Sequence, residues 1–429
     1  MKKKILLIAY YWPPGGGIAV RRWMGLANAL SREGVEVHIL TIDSSSAAYQ
    51  HVDESLADEI EDGIIVHRVK AFNPFAVIKK VAAPSAIPGA AFSESKSSGI
   101  MGRLLKVLRS HIFIPDPRKT WVRKAIQKGC ALVDEYGLQT VITTSPPQSV
   151  QLIGQGIKRA RPDIQWTADF RDPWTDIFYY DRLGHSALSR RIDAAMERRV
   201  LQQADQVVAV SWGFRDLLGS KVDPEDRGKF HVLTNGMDFD PNELENVSRN
   251  EDGPFRIVHT GTIAPSYGPE LVLDAIAALN AGGEYRPFEF DYYGGVSAEY
   301  QRELEERYDF IRFHGFVAQH QIGAIQRAAD VLFLLGPDVD KSTGHIPGKL
   351  FEYMGALRPI AFLGHPSDDV TRILSDTQTG VCLPRGNARA IREALVNLQG
   401  TASNTENVIA NLEPYIRSNQ ALQLLDLLG

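Results

Sequence analysis

Residues 5–22 read ILLIAYYWPPGGGIAVRR. An apolar run from Ile5 to Trp12 stops at Pro13 and Pro14, three glycines follow, and a helix-like segment opens toward Arg21 and Arg22. An apolar run without alternation predicts a parallel strand buried on both faces. The two prolines end regular structure and direct the turn. Gly15, Gly16 and Gly17 remove three successive Cβ atoms, so backbone N–H groups can approach a ligand oxygen. Arg21 is taken as the cation of the pair that meets a bound anion. The stretch is neither a dinucleotide fingerprint, since GxGxxG is absent, nor a P-loop, since no Gly-Lys-Ser or Gly-Lys-Thr follows. A glycine-rich surface turn is the competing reading.

Outward from this turn the chain alternates strands and helices. VEVHILTID, GIIVHRVK, TVITTS, IQWTADF, QVVAVS and KFHVLTNG read as strands, and SVQLIGQGIKRARP and AAMERRVLQQA as helices. After the polar stretch NGMDFDPNELENVSRNEDGP the pattern restarts with FRIVHTGT, PELVLDAIAALNA and PFEFDYYGG. Such alternation predicts parallel sheets covered on both faces. The expectation is an α/β chain with two doubly wound Rossmann-like domains, residues 1–240 and 241–404, facing across a cleft. A final helical stretch, 405–429, is expected to pack back on the first domain. In such sheets ligands bind at the carboxyl ends of the strands.

Composition narrows the function classes. The net charge of −5 argues against a nucleic-acid binder. Two cysteines, Cys130 and Cys382, stand far apart without metal-ligand company, which suits a reduced, cytoplasmic protein. The start MKKKILLIAYYWPP reads as a first strand rather than a leader, because the apolar run meets two prolines and no small-residue cleavage site follows. No window is apolar enough to span a membrane. Residues 70–128 carry twelve Lys or Arg against two acids. Within them Arg103, Lys106 and Arg109 oppose an apolar stripe, predicting a basic amphipathic helix at an anionic membrane surface. A solvated helix packed on its domain is the alternative.

A second block, GHIPGKLFEYMGALRPIAFLG (344–364), places Lys349 in the first turn of a helix, against the helix dipole. A bound diphosphate would account for that placement. Glu352 follows at i+3 on the same face, where its carboxylate can accept the vicinal hydroxyls of a ribose. An i,i+3 ion pair is the plain alternative. In DFRDPW (169–174), Asp169 and Asp172 follow a strand, where a carboxylate can orient or deprotonate a hydroxyl. Loop bracing is the equal alternative. No His/Cys/Asp cluster has metal-ligand spacing, so no metal and no cofactor are expected.

PPGGG with Arg21, TTSPPQSVQLIGQGIKR, WTADFRDPW, NGMD and PGKLFEYMGALRPI together resemble a GT-B glycosyltransferase, most closely family 4 enzymes of bacterial surface-polysaccharide assembly. The resemblance implies a nucleotide-sugar as co-substrate, a hydroxyl acceptor on a lipid-linked glycan, and retention at the anomeric carbon. It implies that Gly15, Gly16 and Gly17 lie beside the diphosphate and acceptor, and that Gly261 and Thr262 face the diphosphate. It further implies that Phe316 and Val317 line the base, that Lys349 and Leu350 approach the phosphates, and that Glu352 holds the ribose. The chain departs from the family pattern at Gly344, where a glutamate is usual. TIAPSYGPE lacks the usual Arg and Lys-Gly. Lys349, Arg21 and Arg171 are therefore expected to compensate the diphosphate. A sugar-nucleotide 2-epimerase and a non-catalytic binding subunit are the competing functions.

Overall fold

The computed structural model describes residues 3–49, 51–73, 113–239, 253–336, 344–400 and 405–429. Arg103, Lys106 and Arg109 lie outside the described residues. The chain divides into two compact units, residues 1–234 with 417–429, and residues 235–416.

The first unit runs β1 (Lys4–Ile8), α1 (Ile18–Arg32), β2 (Glu36–Ile42), β3 (Ile65–Val69), α2 (Val122–Tyr136), β4 (Thr140–Ser145), α3 (Ser149–Ala160), β5 (Gln165–Phe170), α4 (Ala187–Gln203), β6 (Gln206–Ala209), α5 (Trp212–Gly219) and β7 (Phe230–Val232). Its strands form one parallel sheet in the order β3-β2-β1-β4-β5-β6-β7. In β1, Ile5, Leu6, Leu7 and Ile8 are all buried, as expected of a central strand covered twice. One face packs on Trp121, Leu132, Ile153 and Trp166. The other packs on Val20, Trp23 and Leu30 of α1. The strand order reverses between β1 and β4, which makes their carboxyl ends a switch point.

The second unit repeats the plan with β8 (Phe255–Thr260), α6 (Glu270–Gly282), β9 (Phe288–Tyr293), α7 (Ala298–Arg307), β10 (Ile311–Gly315), α8 (Gln319–Arg327), β11 (Val331–Leu335), α9 (Lys349–Gly355), β12 (Ile360–Gly364), α10 (Asp369–Thr377), β13 (Gly380–Pro384), α11 (Ala388–Gly400) and α12 (Thr405–Leu412). The sheet order is β10-β9-β8-β11-β12-β13, again parallel, with the reversal between β8 and β11.

The stretch expected to return as one helix is divided. A 3-10 turn at Glu413–Tyr415, carrying Pro414, separates α12 from α13 (Arg417–Leu427). Pro414 has no N–H for a continuing helix. Helix α12 packs on α10, within the second unit, and α13 packs on α1, within the first. Ala421, Leu424 and Leu428 enter the α1 core.

Candidate functional site

In the second unit three strand ends converge on glycine. Strand β8 ends at Gly261, β9 at Gly294 and Gly295, and β10 at Gly315 before Phe316. The Gly261 N–H donates to the Tyr293 carbonyl at 2.7 Å, and the Gly294 N–H to the Gly315 carbonyl at 2.8 Å. A Cβ on Gly294 would lie 1.8 Å from the Gly261 oxygen, and its φ is 144°, so only glycine fits. The Tyr292 hydroxyl lies 2.7 Å from the Gly261 carbonyl and 2.6 Å from that of Gly295, and accepts the Ile263 N–H at 3.0 Å. The Tyr353 hydroxyl accepts the Thr260 N–H at 2.9 Å. Burial pushes both phenols up to about 12, so they remain neutral donors and acceptors that hold the turn.

Lys349 lies directly on this turn. A Cβ on Gly261 would stand 2.4 Å from Lys349 Cε and 3.2 Å from Nζ. The absence of that Cβ is what lets the ammonium approach the end of β8. No carboxylate among the described residues forms an ion pair with Lys349, Glu352 included. Glu352 is exposed, one turn further along α9. Thr262 is exposed and Val317 half-buried. Phe316 is 87% exposed, with its ring edge over Gly295. An aromatic ring this open contributes nothing to the core. Leu350 departs from expectation: its side chain is fully buried and its N–H donates to the Pro347 carbonyl, so it is a packing residue. Gly344, with φ 83°, offers no carboxylate at the place where one is usual.

His259 sits beneath the turn. Its Nδ1 lies 2.8 Å from the Phe333 carbonyl, and its ring stacks on Tyr292. Burial first, and the nearby Lys349 charge second, push its pKa down to about 4 against the favourable Phe333 contact. His259 is therefore a neutral core imidazole at pH 7.

The first unit treats its motif residues differently. Gly15 donates its N–H to the Trp12 carbonyl at 2.9 Å, and Gly16 to that of His51 at 3.0 Å. Those two amides are thus taken up by the loop itself, contrary to the expectation that they meet a ligand. Gly17 adopts φ 99° as the N-cap of α1, and a Cβ there would meet nothing within 4 Å. Arg21 is exposed and lies 3.7 Å from Glu59. Its neighbour Arg22 is the buried one. Arg22 pairs with Asp169 at 3.0 Å and donates to the carbonyls of Leu233 and Thr234.

Asp169 is fully buried, and its carboxylate also accepts from Trp23 Nε1 at 2.8 Å and Thr144 Oγ1 at 2.7 Å. With both oxygens committed to β4 and α1, it braces the sheet instead of meeting an acceptor. Arg171 donates to the carbonyls of Ser145, Ala19 and Pro146, at 3.2, 3.1 and 2.5 Å. It fastens the ends of β4 and β5 to α1 and is not available to a diphosphate. Asp172 is partly exposed and near enough to Arg171 to stabilise its charge.

Sequence reasoning passed over Gly294, Gly295, Tyr292 and Tyr353. The Gly-Gly pair at the end of PFEFDYYGG was the available signal, since paired glycines after a strand mark close backbone approach. Among the described residues no cluster of three or more His, Cys, Asp or Glu is placed to hold a metal.

Two parallel sheets, each with a glycine turn at its switch point, define the GT-B class of α/β protein. Residues 16–236, just over half of the chain, match the family described as glycosyl transferase 4-like domain. Residues 254–400 match glycosyl transferases group 1. The chain belongs to the glycosyltransferase 4-like family and is a nucleotide-sugar-dependent glycosyltransferase. No curated protein matches the sequence. Among solved structures, a glycosyltransferase from Rickettsia africae is 13% identical over 100% of this chain and 98% of its own, with a TM-score of 0.60. Sucrose-phosphate synthase from Thermosynechococcus elongatus is 16% identical over 99% and 98%, with a TM-score of 0.57. Anabaena HepE, solved in complex with UDP and glucose, is 13% identical over 99% and 98%, with a TM-score of 0.56. At these identities the likeness carries the fold alone.

Proposed function

We propose that this glycosyltransferase binds a nucleoside diphosphate sugar at the glycine turns of its second unit and transfers the sugar, with retention, to a hydroxyl of a lipid-linked glycan. The reading places it in cell-surface polysaccharide synthesis in a bacterium, cytoplasmic and peripheral on an anionic membrane face.

One observation carries the donor assignment. Lys349 has no carboxylate partner among the described residues and rests on Gly261, which can carry no side chain there. A cation held at a bare backbone turn is the counter-charge that a diphosphate needs. Phe316 supplies a face for the base, Val317 its border, Glu352 an acceptor for ribose hydroxyls, and Thr262 a hydroxyl beside the phosphates. In the first unit, Gly17 opens α1 and Arg21 flanks it, while Asp172 orients the acceptor hydroxyl and Asp169 positions the strand end that carries it. The leaving diphosphate is stabilised by Lys349, with no metal required. Arg103, Lys106 and Arg109 belong to the membrane part of this reading.

A thermal-shift screen against UDP, GDP, ADP, TDP and CMP and their sugars tests it. A ligand that binds only the folded state at a hundred times its Kd adds about 2.7 kcal/mol of stability. One nucleotide diphosphate should raise the Tm of the wild type and not of Glu352→Gln. If none does, the donor assignment falls. Release of a C2 epimer from the donor without any acceptor would replace transfer by epimerisation. Donor binding with no turnover on an acceptor panel would make the chain a binding subunit.

A further inference from the structure

Helix α4 distributes its charges in one sense only. Its two acids, Asp193 and Glu197, lie one turn apart and are each 1% exposed. Asp193 accepts from Trp174 Nε1 at 2.6 Å and from the Tyr180 hydroxyl at 2.7 Å. Glu197 accepts from Thr175 Oγ1 at 2.5 Å and Lys221 Nζ at 2.6 Å. Both acids are used to hold residues 174–180, the segment that follows Asp172.

The outward face has no acid of its own. It carries Arg191, Arg198 and Arg199, all exposed, with Arg182 just before the helix. Arg190, at i−3 from Asp193, lies on the acid-bearing side and pairs with Asp181 at 2.8 Å, while Arg198 has Asp223 at 3.7 Å. Arg182, Arg191 and Arg199 make no ion pair among the described residues. Between the arginines lie apolar side chains that the fold leaves in water. Leu188 is 68% exposed, Ile192 40%, and Ala195 is exposed as well. Their spacing of four and then three residues puts them in one stripe, which Arg199 continues. A single exposed leucine needs no explanation. An aliphatic stripe edged by Arg191 and Arg199, which make no ion pair among the described residues, on a helix face with no acid of its own is the pattern of a helix lying in a lipid interface.

We propose that this face of α4 docks on an anionic lipid surface, with Leu188 and Ile192 entering the headgroup layer and Arg191 and Arg199 pairing with lipid phosphates. The inference rests on the membrane-facing reading given above and assigns it to residues other than Arg103, Lys106 and Arg109, which lie outside the described residues. It also has a consequence for the acceptor. The helix that meets the lipid grips residues 174–180 through its opposite face, so a lipid-linked glycan is delivered beside Asp172. An anionic polymer or acidic protein would need the arginines and have no use for Leu188 and Ile192, which is why charge and apolar contact are tested apart.

The full chain is co-sedimented with vesicles of phosphatidylglycerol and phosphatidylcholine, and with phosphatidylcholine alone, at low and high salt. Wild type should bind the anionic vesicles, less so as salt rises. Leu188→Ser with Ile192→Ser, and Arg191→Glu with Arg199→Glu, should each lower the partition coefficient by at least about tenfold. Arg302→Glu with Arg312→Glu, exposed positions in the second unit, should lower it by less than about twofold, because they lie outside the docking face. All four α4 positions are exposed, so an unchanged Tm verifies the fold of the variants. If both α4 variants bind as wild type does, the docking face lies elsewhere on a membrane-binding chain. If wild type itself ignores the vesicles, the membrane reading falls as well. Loss with the glutamates but not with the serines overturns lipid insertion in favour of an acidic macromolecular partner.

Discussion

Each unit has a glycine turn after the first strand of its sheet, and the two turns differ in what their polar groups do. In the first unit the fold uses them up. The amides of Gly15 and Gly16 bond to the loop, Asp169 binds Arg22, Trp23 and Thr144, and Arg171 binds three carbonyls. In the second unit the Gly261 and Gly294 amides are also internal, yet Lys349 and Glu352 have no ion-pair partner among the described residues and Phe316 stays exposed. Burying a charge is tolerable only when it is paired and hydrogen-bonded. The contrast therefore separates motif residues that build the fold from those left for a ligand.

The comparison breaks most sharply at Asp169. Asp169→Ala strands a buried guanidinium and should destabilise by about 3–5 kcal/mol in urea unfolding. A loss under about 1 kcal/mol would mean that water reaches Arg22 and that the brace is not a brace.

Acid should act on the second unit through His259. Its folded pKa of about 4 lies below the unfolded value of 6.5, so below pH 6.5 the unfolded chain takes up the proton first. This contribution is complete above pH 6.5 and is lost as pH falls toward 4, by roughly 3 kcal/mol in all. His259→Phe, which keeps the stack on Tyr292, should flatten that part of the stability–pH curve. Superimposable curves would show that the imidazole is not desolvated.

Lys349→Ala should weaken nucleotide binding by about 1.5–3 kcal/mol in calorimetry, the range for a hydrogen bond to a charged group. Its unfolding free energy should move by less than about 0.5 kcal/mol, because Lys349 makes no ion pair among the described residues. An equal loss in both would make it a structural cation like Arg22.

The same substitution can be made in both turns. Gly294→Ala meets backbone at 1.8 Å as well as a positive φ, whereas Gly17→Ala meets only the φ. Backbone strain alone is about 1–3 kcal/mol. Gly294→Ala should therefore lie above Gly17→Ala in lost stability and should abolish nucleotide binding; equal values would mean that the turn relaxes. Phe316→Ala is the smallest effect, about 0.5–1.5 kcal/mol of nucleotide affinity from lost ring contact and no change in Tm.

The double-sheet plan was legible because buried parallel strands are continuous apolar runs and each is followed by a turn of Gly or Pro. Ile5–Ile8 and Val331–Leu335 need no partner to be identified as strands. Helix α2 went unread, as did α5, α7 and α10. Helix α2 mixes its apolar face with Arg123, Lys124 and Lys128, and its first half lies in the stretch whose charge suggested a membrane. The site was half legible. Lys349 and Gly261 were named from separate motifs 88 residues apart, and the structure brings the side chain of one onto the Cα of the other. Arg21 was preferred to Arg22 because adjacent residues on a helix look equivalent until the buried face is known.

Local chemistry, which survives in the order of residues, determined the strand and helix alternation, the two glycine turns, and the presence of a cation and a carboxylate at i,i+3 in one short helix. Whether a charged group is a brace or a ligand contact was decided only by tertiary structure. That depends on which carbonyls, carboxylates and ring N–H groups from distant strands arrive around it. Asp169 and Lys349 read alike as motif residues. One is surrounded by three donors from two other elements and the other by a bare glycine, and folding alone sets that difference.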